Sequence, residues 1–257
     1  MYSKMALLIT NIYRYPVKGL SGEALDSVRL SAGSGLPRDR RFAIAHSTTK
    51  FDSSAPEWAP KTNFAMLMRN ARLAKLNSVY DDESGVLTLF RDGKQVARGD
   101  ITSRLGRDLV GQFLSAFLGE EIRGAARIID GGDHMFSDHK NKVVSIIGLA
   151  SLRDIERVAG ESIHRLRFRA NFYFDGAKPW QEFDWVGKEI EIGAARLAVT
   201  ACIDRCAAIN VNPESGERDR NIPKELQRGF GHINTGVYAR VITPGQVREG
   251  DEIKPCL

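Results

Sequence analysis

The chain has 257 residues, of which 42% are hydrophobic and 27% charged; this globular balance excludes a disordered or fibrous protein and leaves room for one elaborate domain or two small ones. Lys and Arg number 37 against 32 Asp and Glu, a net charge of +5 with the signs intermixed, so nucleic acid is not an expected partner. No apolar run approaches the ~18 residues of a membrane helix.

The first apolar stretch, Met5 to Ile9, is too short for the core of a signal peptide, and a cytoplasmic protein without a membrane segment is expected. Residues 6–46 read as extended, with Leu7-Leu8-Ile9, Ser27-Val28-Arg29-Leu30 and Arg41-Phe42-Ala43-Ile44 as strand candidates between glycine turns. Phe51 to Asn63, with two prolines and no periodicity, reads as a long surface loop of the kind that borders sites.

Three strands are expected next, Leu73 to Tyr80, Val86 to Phe90 and Gln95 to Arg98. Asp81 to Gly85 and Asp92-Gly93 would join them as an antiparallel meander. A helix follows from about Ser103 to Leu118, with Leu105, Leu109, Phe113, Leu114, Phe117 and Leu118 as its apolar stripe. After a strand-like Ile122 to Ile129, the glycine-rich loop 130–134 marks the passage to a second half, giving expected domains of 1–125 and 126–257.

The second half opens with a helix over Leu149 to Ala159 and continues with strands at Ala170–Phe174, Glu189–Ile192 and Arg196–Thr200. A short helix over Lys224–Arg228 and two strands near Gly236–Val241 and Gly250–Ile253 complete the pattern. Alternating βα units are absent from this reading, which argues against a doubly wound sheet. The fold class is mainly β with some α, built from barrel or sandwich elements.

Cys206 lies just after an apolar strand, where a rigid scaffold presents a side chain at a barrel mouth. The neighbouring Arg205 favours its thiolate if both groups point the same way. The three cysteines, at 202, 206 and 256, form no disulfide framework and are expected to be reduced. Small buried hydrophobe is the plain alternative for Cys202 and Cys206, and their C-x3-C spacing lacks the second ligand pair of a zinc site. His232 with Asp204 or Asp219 would complete a Cys-His-acid triad, but the local signatures of cysteine hydrolases are missing.

Arg165, Arg167, Arg169 and Asn171 alternate and would share one face of an extended segment. Such a stripe is either solvated or set against an anion, since guanidinium forks bind phosphate bidentately. Tyr15-Pro16-Val17-Lys18-Gly19 places Lys18 on a bend, and Pro37-Arg38-Asp39-Arg40-Arg41 leads a basic run into a strand. An RNA-binding module is disfavoured by the small net charge and by the lack of interleaved aromatics around Arg165 to Arg169.

Together these segments resemble the MOSC family, the group similar to the C-terminal domain of molybdenum cofactor sulfurase and to the mitochondrial amidoxime reducing component. In the front half the resemblance is carried by Tyr15-Pro16-Val17-Lys18-Gly19 and by Gly35 to Phe42. In the back half it is carried by Val144-Ser145-Ile146-Ile147, Arg167-Phe168-Arg169-Ala170-Asn171, Arg205-Cys206-Ala207-Ala208, Asn212 to Gly216 and Gly236-Val237-Tyr238.

The resemblance implies a MOSC-type β-barrel preceded by a smaller N-terminal β-barrel module, and the molybdenum cofactor as ligand. It implies Cys206 as the metal's thiolate, with Lys18, Arg40, Ser145, Arg167, Arg169 and Asn171 around the pterin and its phosphate. The implied activity is a molybdenum-dependent reductase of small N-hydroxylated substrates, fed by a separate ferredoxin- or cytochrome b5-like donor. The alternative is a sulfur carrier that uses a Cys206 persulfide in cofactor or metal-sulfur assembly.

Overall fold

The computed structural model describes residues 6–256; residues 1–5 and 257 lie outside it. The front half begins with strands β1 (Leu8–Arg14), β2 (Glu23–Leu25), β3 (Ser27–Leu30) and β4 (Phe42–Ala45). It continues with β5 (Asn77–Tyr80), β6 (Val86–Arg91), β7 (Lys94–Asp100) and helix α1 (Arg104–Leu118). The back half holds β8 (Arg127–Asp130), β9 (Val144–Gly148), α2 (Leu149–Ala159), β10 (Phe172–Asp175), β11 (Glu189–Ile192) and β12 (Ala195–Asp204). It ends with α3 (Ile222–Phe230), β13 (Asn234–Thr243), β14 (Gly245–Arg248) and β15 (Ile253–Pro255).

The architecture is mainly β, with a curled eight-stranded sheet in the order β15-β11-β12-β13-β9-β10-β1-β2. Its first two chain strands come from the front half and the rest from the back half, and β3–β14 and β4–β8 also pair across the halves. All ladders are antiparallel except β9–β10, which is parallel with α2 as its crossover. One βαβ unit is therefore present where the sequence reading had none. Its short strands, buried throughout β9, show no alternation to mark them.

Among the described residues four apolar cores hold these elements, the smallest around Phe64 and Phe136. One lies inside the curled sheet around Ile12, Phe172, Phe174, Leu197 and Val237; a second fills the front half around Phe42, Leu73, Leu89 and Leu114; and α2 and α3 cover a third on the sheet's other side. The meander β5-β6-β7 forms as expected. Asp92 and Gly93 both take positive φ, 50° and 74°, as a two-residue hairpin turn of primed type requires.

Several expectations need correction. Residues 71–75 form a 3-10 turn, so the strand expected from Leu73 starts only at Asn77; likewise the strand expected from Ile122 starts at Arg127. The small helix runs over Ile222–Phe230, longer than Lys224–Arg228, because the Asn221 side chain caps it and Pro223 fits its first turn.

Helix α1 occupies its expected span, with the Ser103 hydroxyl accepting from Gly106 N at 3.1 Å. Its buried face is rotated, however: Leu105 is 71% exposed and Leu109 50%, while Gly106, Val110 and Gly111 are buried. The cause is close backbone approach, since a Cβ on Gly106 would overlap the Asp100 carbonyl and one on Gly99 would come within 2.9 Å of Gly106 O. Glycines let α1 lie directly on β7 in a way that leucines cannot.

Candidate functional site

An open cleft lies between the two halves, with a volume of about 950 Å³ including solvent at its mouth. Lys18, Arg40, Ser145, Arg167, Arg169, Asn171 and Cys206 all line it, together with Asp138, Asp204, Arg205 and Tyr238. Residues up to 220 positions apart in the chain, Lys18 and Tyr238, thus share one concavity.

The arginine segment is not extended. Residues 165–168 form a 3-10 turn, with Arg167 N donating to His164 O at 3.1 Å and Arg169 N to Leu166 O at 3.2 Å. The His164 ring nitrogen caps the turn by accepting from Leu166 N. Arg169 ends it in the left-handed region at φ 52°. The guanidiniums therefore diverge instead of lining one strand face.

Arg167 forms a bidentate pair with Asp219, 2.7 and 2.6 Å, and also donates to Asn210 O at 3.0 Å. It ties the 165–168 turn to the 3-10 turn 207–210 that follows Cys206. Arg169 instead turns inward: Nη1 donates to Leu20 O at 2.7 Å and its guanidinium lies 4.3 Å from the Tyr15 ring centroid.

Arg40 approaches the same ring at 4.5 Å, donates to Arg169 O at 2.8 Å and pairs with Asp39. It too has a positive φ, 50°. Two non-glycine residues held in this costly backbone region at one cleft mark a constrained site. Asp39, buried, also accepts from Tyr15 N at 2.7 Å and from Asn171 Nδ2 at 3.1 Å.

Ser145 and Asn171 satisfy each other. The Ser145 hydroxyl accepts from Asn171 N at 3.0 Å, and Asn171 Oδ1 accepts from Ser145 N and Oγ at 3.0 and 2.9 Å. Both are buried and join β9 to the start of β10 as the cleft's inner wall. Lys18 reaches the cleft from the bend after Pro16; its ammonium donates to Phe136 O at 3.0 Å and to Asp138 Oδ1 at 2.6 Å.

The cations of the cleft are perturbed chiefly by burial. Burial depresses Arg169 to about 10, with the like charge of Arg40 adding to the effect. Among the described residues Arg169 has no carboxylate hydrogen bond or ion pair; its direct contacts are a carbonyl and a ring, with the Asp39 charge acting from farther off. Burial lowers the Lys18 ammonium too, despite Asp138. It also pushes the Tyr15 phenol up to about 12, keeping it neutral. Lys61 on the rim is raised: burial opposes its charge, but nearby negative charge, chiefly that of Asp138, outweighs it.

Cys206 follows the end of β12 by two residues and caps the 207–210 turn, with a half-buried, unbridged thiol. Arg205 points elsewhere: its buried guanidinium donates to Thr235 O at 3.0 Å and to Phe168 O at 3.0 Å. It is a brace that fixes the cysteine loop against the residue preceding Arg169. Cys202 packs against the core of the curled sheet, and burial pushes its thiol up. The two half-buried cysteines thus part company, Cys202 packing against the core and Cys206 facing the cleft. Among the described residues, no group of three or more His, Cys, Asp and Glu is placed to hold a metal ion.

Sequence reasoning missed Asp39, Lys61, Asp138 and Tyr238. Asp138 stands 120 positions from Lys18, and no local pattern connects the two. Asp39 was legible only as the single acid within a basic run.

Comparison with known proteins identifies the family of both halves. Residues 6–121 match the MOSC N-terminal beta barrel domain and residues 131–254 the MOSC domain. Human molybdenum cofactor sulfurase is 29% identical over 98 residues, 36% of this chain and 11% of the sulfurase. The chain thus spans about a tenth of that relative's length. Mouse mitochondrial amidoxime-reducing component 1 is 25% identical over 120 residues, 42% of this chain and 35% of the relative. Bovine mitochondrial amidoxime reducing component 2 is 20% identical over 293 aligned positions, covering 95% of this chain and 82% of the relative. Among solved structures, the YUAD protein from Bacillus subtilis aligns over 98% of this chain and 97% of its own at 14% identity and a TM-score of 0.49. With one family domain over the front half and the other over the back half, the chain belongs to the MOSC family.

Proposed function

We propose that the cleft binds the molybdenum cofactor and that the protein is an oxidoreductase of small N-hydroxylated substrates. The observation that carries the reading is the convergence of Lys18, Arg40 and Arg169 on the same cleft as the Cys206 thiol, with no carboxylate hydrogen-bonded to Arg169 among the described residues. The donor set fits the group: ammonium and guanidinium suit its phosphate, and one soft thiolate suits a metal that brings its other donors on an organic ligand.

In this reading Lys18, Arg40 and Arg169 grip the phosphate and Cys206 supplies the protein's metal ligand. When bound, the cofactor supplies two-electron oxo-transfer chemistry. Ser145 and Asn171 keep the inner wall rigid, Arg167 and Arg205 hold the turns on either side of Cys206, and Met66, Leu67 and Met135 form an apolar lip that excludes water. No helix of the described residues is long and apolar enough to cross a membrane. The proposed setting is the cytoplasm, with electrons delivered by a separate ferredoxin- or cytochrome b5-like protein.

The test is turnover of an N-hydroxyamidine to the amidine by cofactor-loaded protein, with reduced viologen as electron source. Wild type should convert it and Cys206→Ala should not. A half-buried, unbridged cysteine in a cleft that also holds the Lys18 ammonium suits a sulfur carrier as well. A stable persulfide on Cys206 after exposure to a cysteine desulfurase, with no turnover by loaded protein, selects that reading instead.

A further inference from the structure

Lys18 differs from the other cleft cations in what holds it. Arg40 is paired with Asp39, which is itself locked by Tyr15 N and Asn171. Lys18 is paired with Asp138, which stands on a strap, residues 137–142, between buried Phe136 and Val143.

Among the described residues, no side chain of the strap belongs to an apolar core. Its one backbone–backbone hydrogen bond runs from Ser137 N to Met135 O, 2.8 Å. The ties outward are made by side chains. Asp138 Oδ1 binds Lys18, its Oδ2 lies 3.4 Å from Lys61 Nζ on the rim, the His139 ring sits 5.0 Å from that of Tyr238, and Lys140 lies 5.3 Å from Trp58. Phe136, by contrast, is held in an aromatic cluster with Phe51 and Phe64 and forms a fixed hinge.

We propose that Asp138 is a resident counter-ion that an anionic ligand displaces from Lys18, so that filling the cleft releases the 137–142 strap. The inference rests on the anion-site reading above. An ammonium has three donors, and here Phe136 O and Asp138 take two of them. A phosphate brought to the third would face the Asp138 carboxylate at close range, and like charges repel. Lys61 gives the carboxylate somewhere to go: it already touches the far oxygen and stands nearer solvent. Asp138 can therefore exchange one ammonium for the other and carry the strap outward.

The experiment uses inorganic phosphate as probe, with calorimetric titration and amide hydrogen exchange on wild type, Asp138→Asn and Lys18→Met. Saturating phosphate should raise exchange in 137–142 of wild type and leave α1 unchanged. Asp138→Asn should exchange fast in the strap without phosphate and bind phosphate about five- to tenfold more tightly, because the competing closed state is removed. Lys18→Met should lose the effect of phosphate on the strap. If phosphate binds wild type but Asp138→Asn binds it no more tightly, or strap exchange does not respond, the counter-ion proposal is overturned while the anion site stands. If phosphate binds neither protein, the anion-site reading fails and takes this proposal with it.

Discussion

Replacing Asp219 with alanine tests how the two turns beside Cys206 are held. The Arg167 guanidinium draws the Asp219 carboxyl from 3.8 down to about 2. At full value that drop corresponds to roughly 2.5 kcal/mol. Asp219 keeps 35% of its side chain exposed, and solvent screening reduces the figure to about 1 kcal/mol. The larger cost falls on Arg167, whose side chain is only 3% exposed and whose Nε already lacks a partner. With Asp219 gone, the guanidinium keeps only the Asn210 carbonyl. Stranding a buried charge in this way brings the expected loss to about 2–4 kcal/mol. In a chain of this size that lowers Tm by roughly 5–12 °C.

Urea denaturation of Asp219→Ala, Arg167→Met and the double variant measures the pair directly. The double variant should be more stable than Asp219→Ala, because no unpaired charge remains. The pH dependence has a definite sign. A depressed carboxylate contributes stability that is present above about pH 4 and is lost as pH falls toward 2, so the gap between wild type and Asp219→Ala should close across that window. A loss below about 0.5 kcal/mol, in the range of an ordinary surface substitution, or a double variant as damaged as the two single losses combined, would refute the reasoning.

Three further outcomes follow from particular contacts. Gly106→Ala places a Cβ on the Asp100 carbonyl and should cost about 1–3 kcal/mol by overpacking, read as a Tm drop of several degrees; an unchanged Tm would contradict the close approach of α1 to β7. Glu182 is buried, accepts from Gly148 N and Ser151 Oγ at 3.2 and 2.9 Å, and burial raises its pKa. A raised acid favours the protonated fold, so its stabilising contribution is lost as pH rises through the folded pKa. Glu182→Gln should accordingly be as stable as wild type or up to about 1 kcal/mol more stable at pH 8, with a flatter pH profile by thermal melting; a marked loss at pH 8 would contradict this. Tyr15→Leu removes the ring beneath both Arg40 and Arg169 and should weaken phosphate binding by about 1–2 kcal/mol, measured by titration; unchanged affinity would separate the ring from the anion site.

Much of the fold was legible where one local rule dominates. The span of α2, Leu149–Ala159, follows from its apolar spacing, and the β6–β7 hairpin follows from Asp92-Gly93. The face of α1 was misread because leucines outweigh glycines in a periodicity argument, whereas backbone proximity decided which side was buried. Arg165, Arg167 and Arg169 alternate in sequence, but alternation does not distinguish a strand from a 3-10 turn capped by His164. Strand ends, alternation and bends drew attention to Cys206, Lys18, Arg40, Arg167 and Arg169, the family resemblance supplied their expected roles, and the structure brings these five to one cleft while Arg165 lies elsewhere. Asp138 and Lys61 stayed hidden because their partners lie 120 and 77 positions away, a separation that only the packed halves close.

The central claim is that Cys206 supplies the protein's thiolate to a metal held on an anionic organic ligand. Molybdenum and pterin content per chain, in protein purified from a cofactor-competent host, tests it most directly. Wild type should hold close to one of each. Cys206→Ala should lose the metal while keeping its fold, and Arg169→Met should lose both metal and pterin. Folded wild type free of molybdenum and pterin, or a Cys206→Ala variant as rich in metal as wild type, would contradict the account.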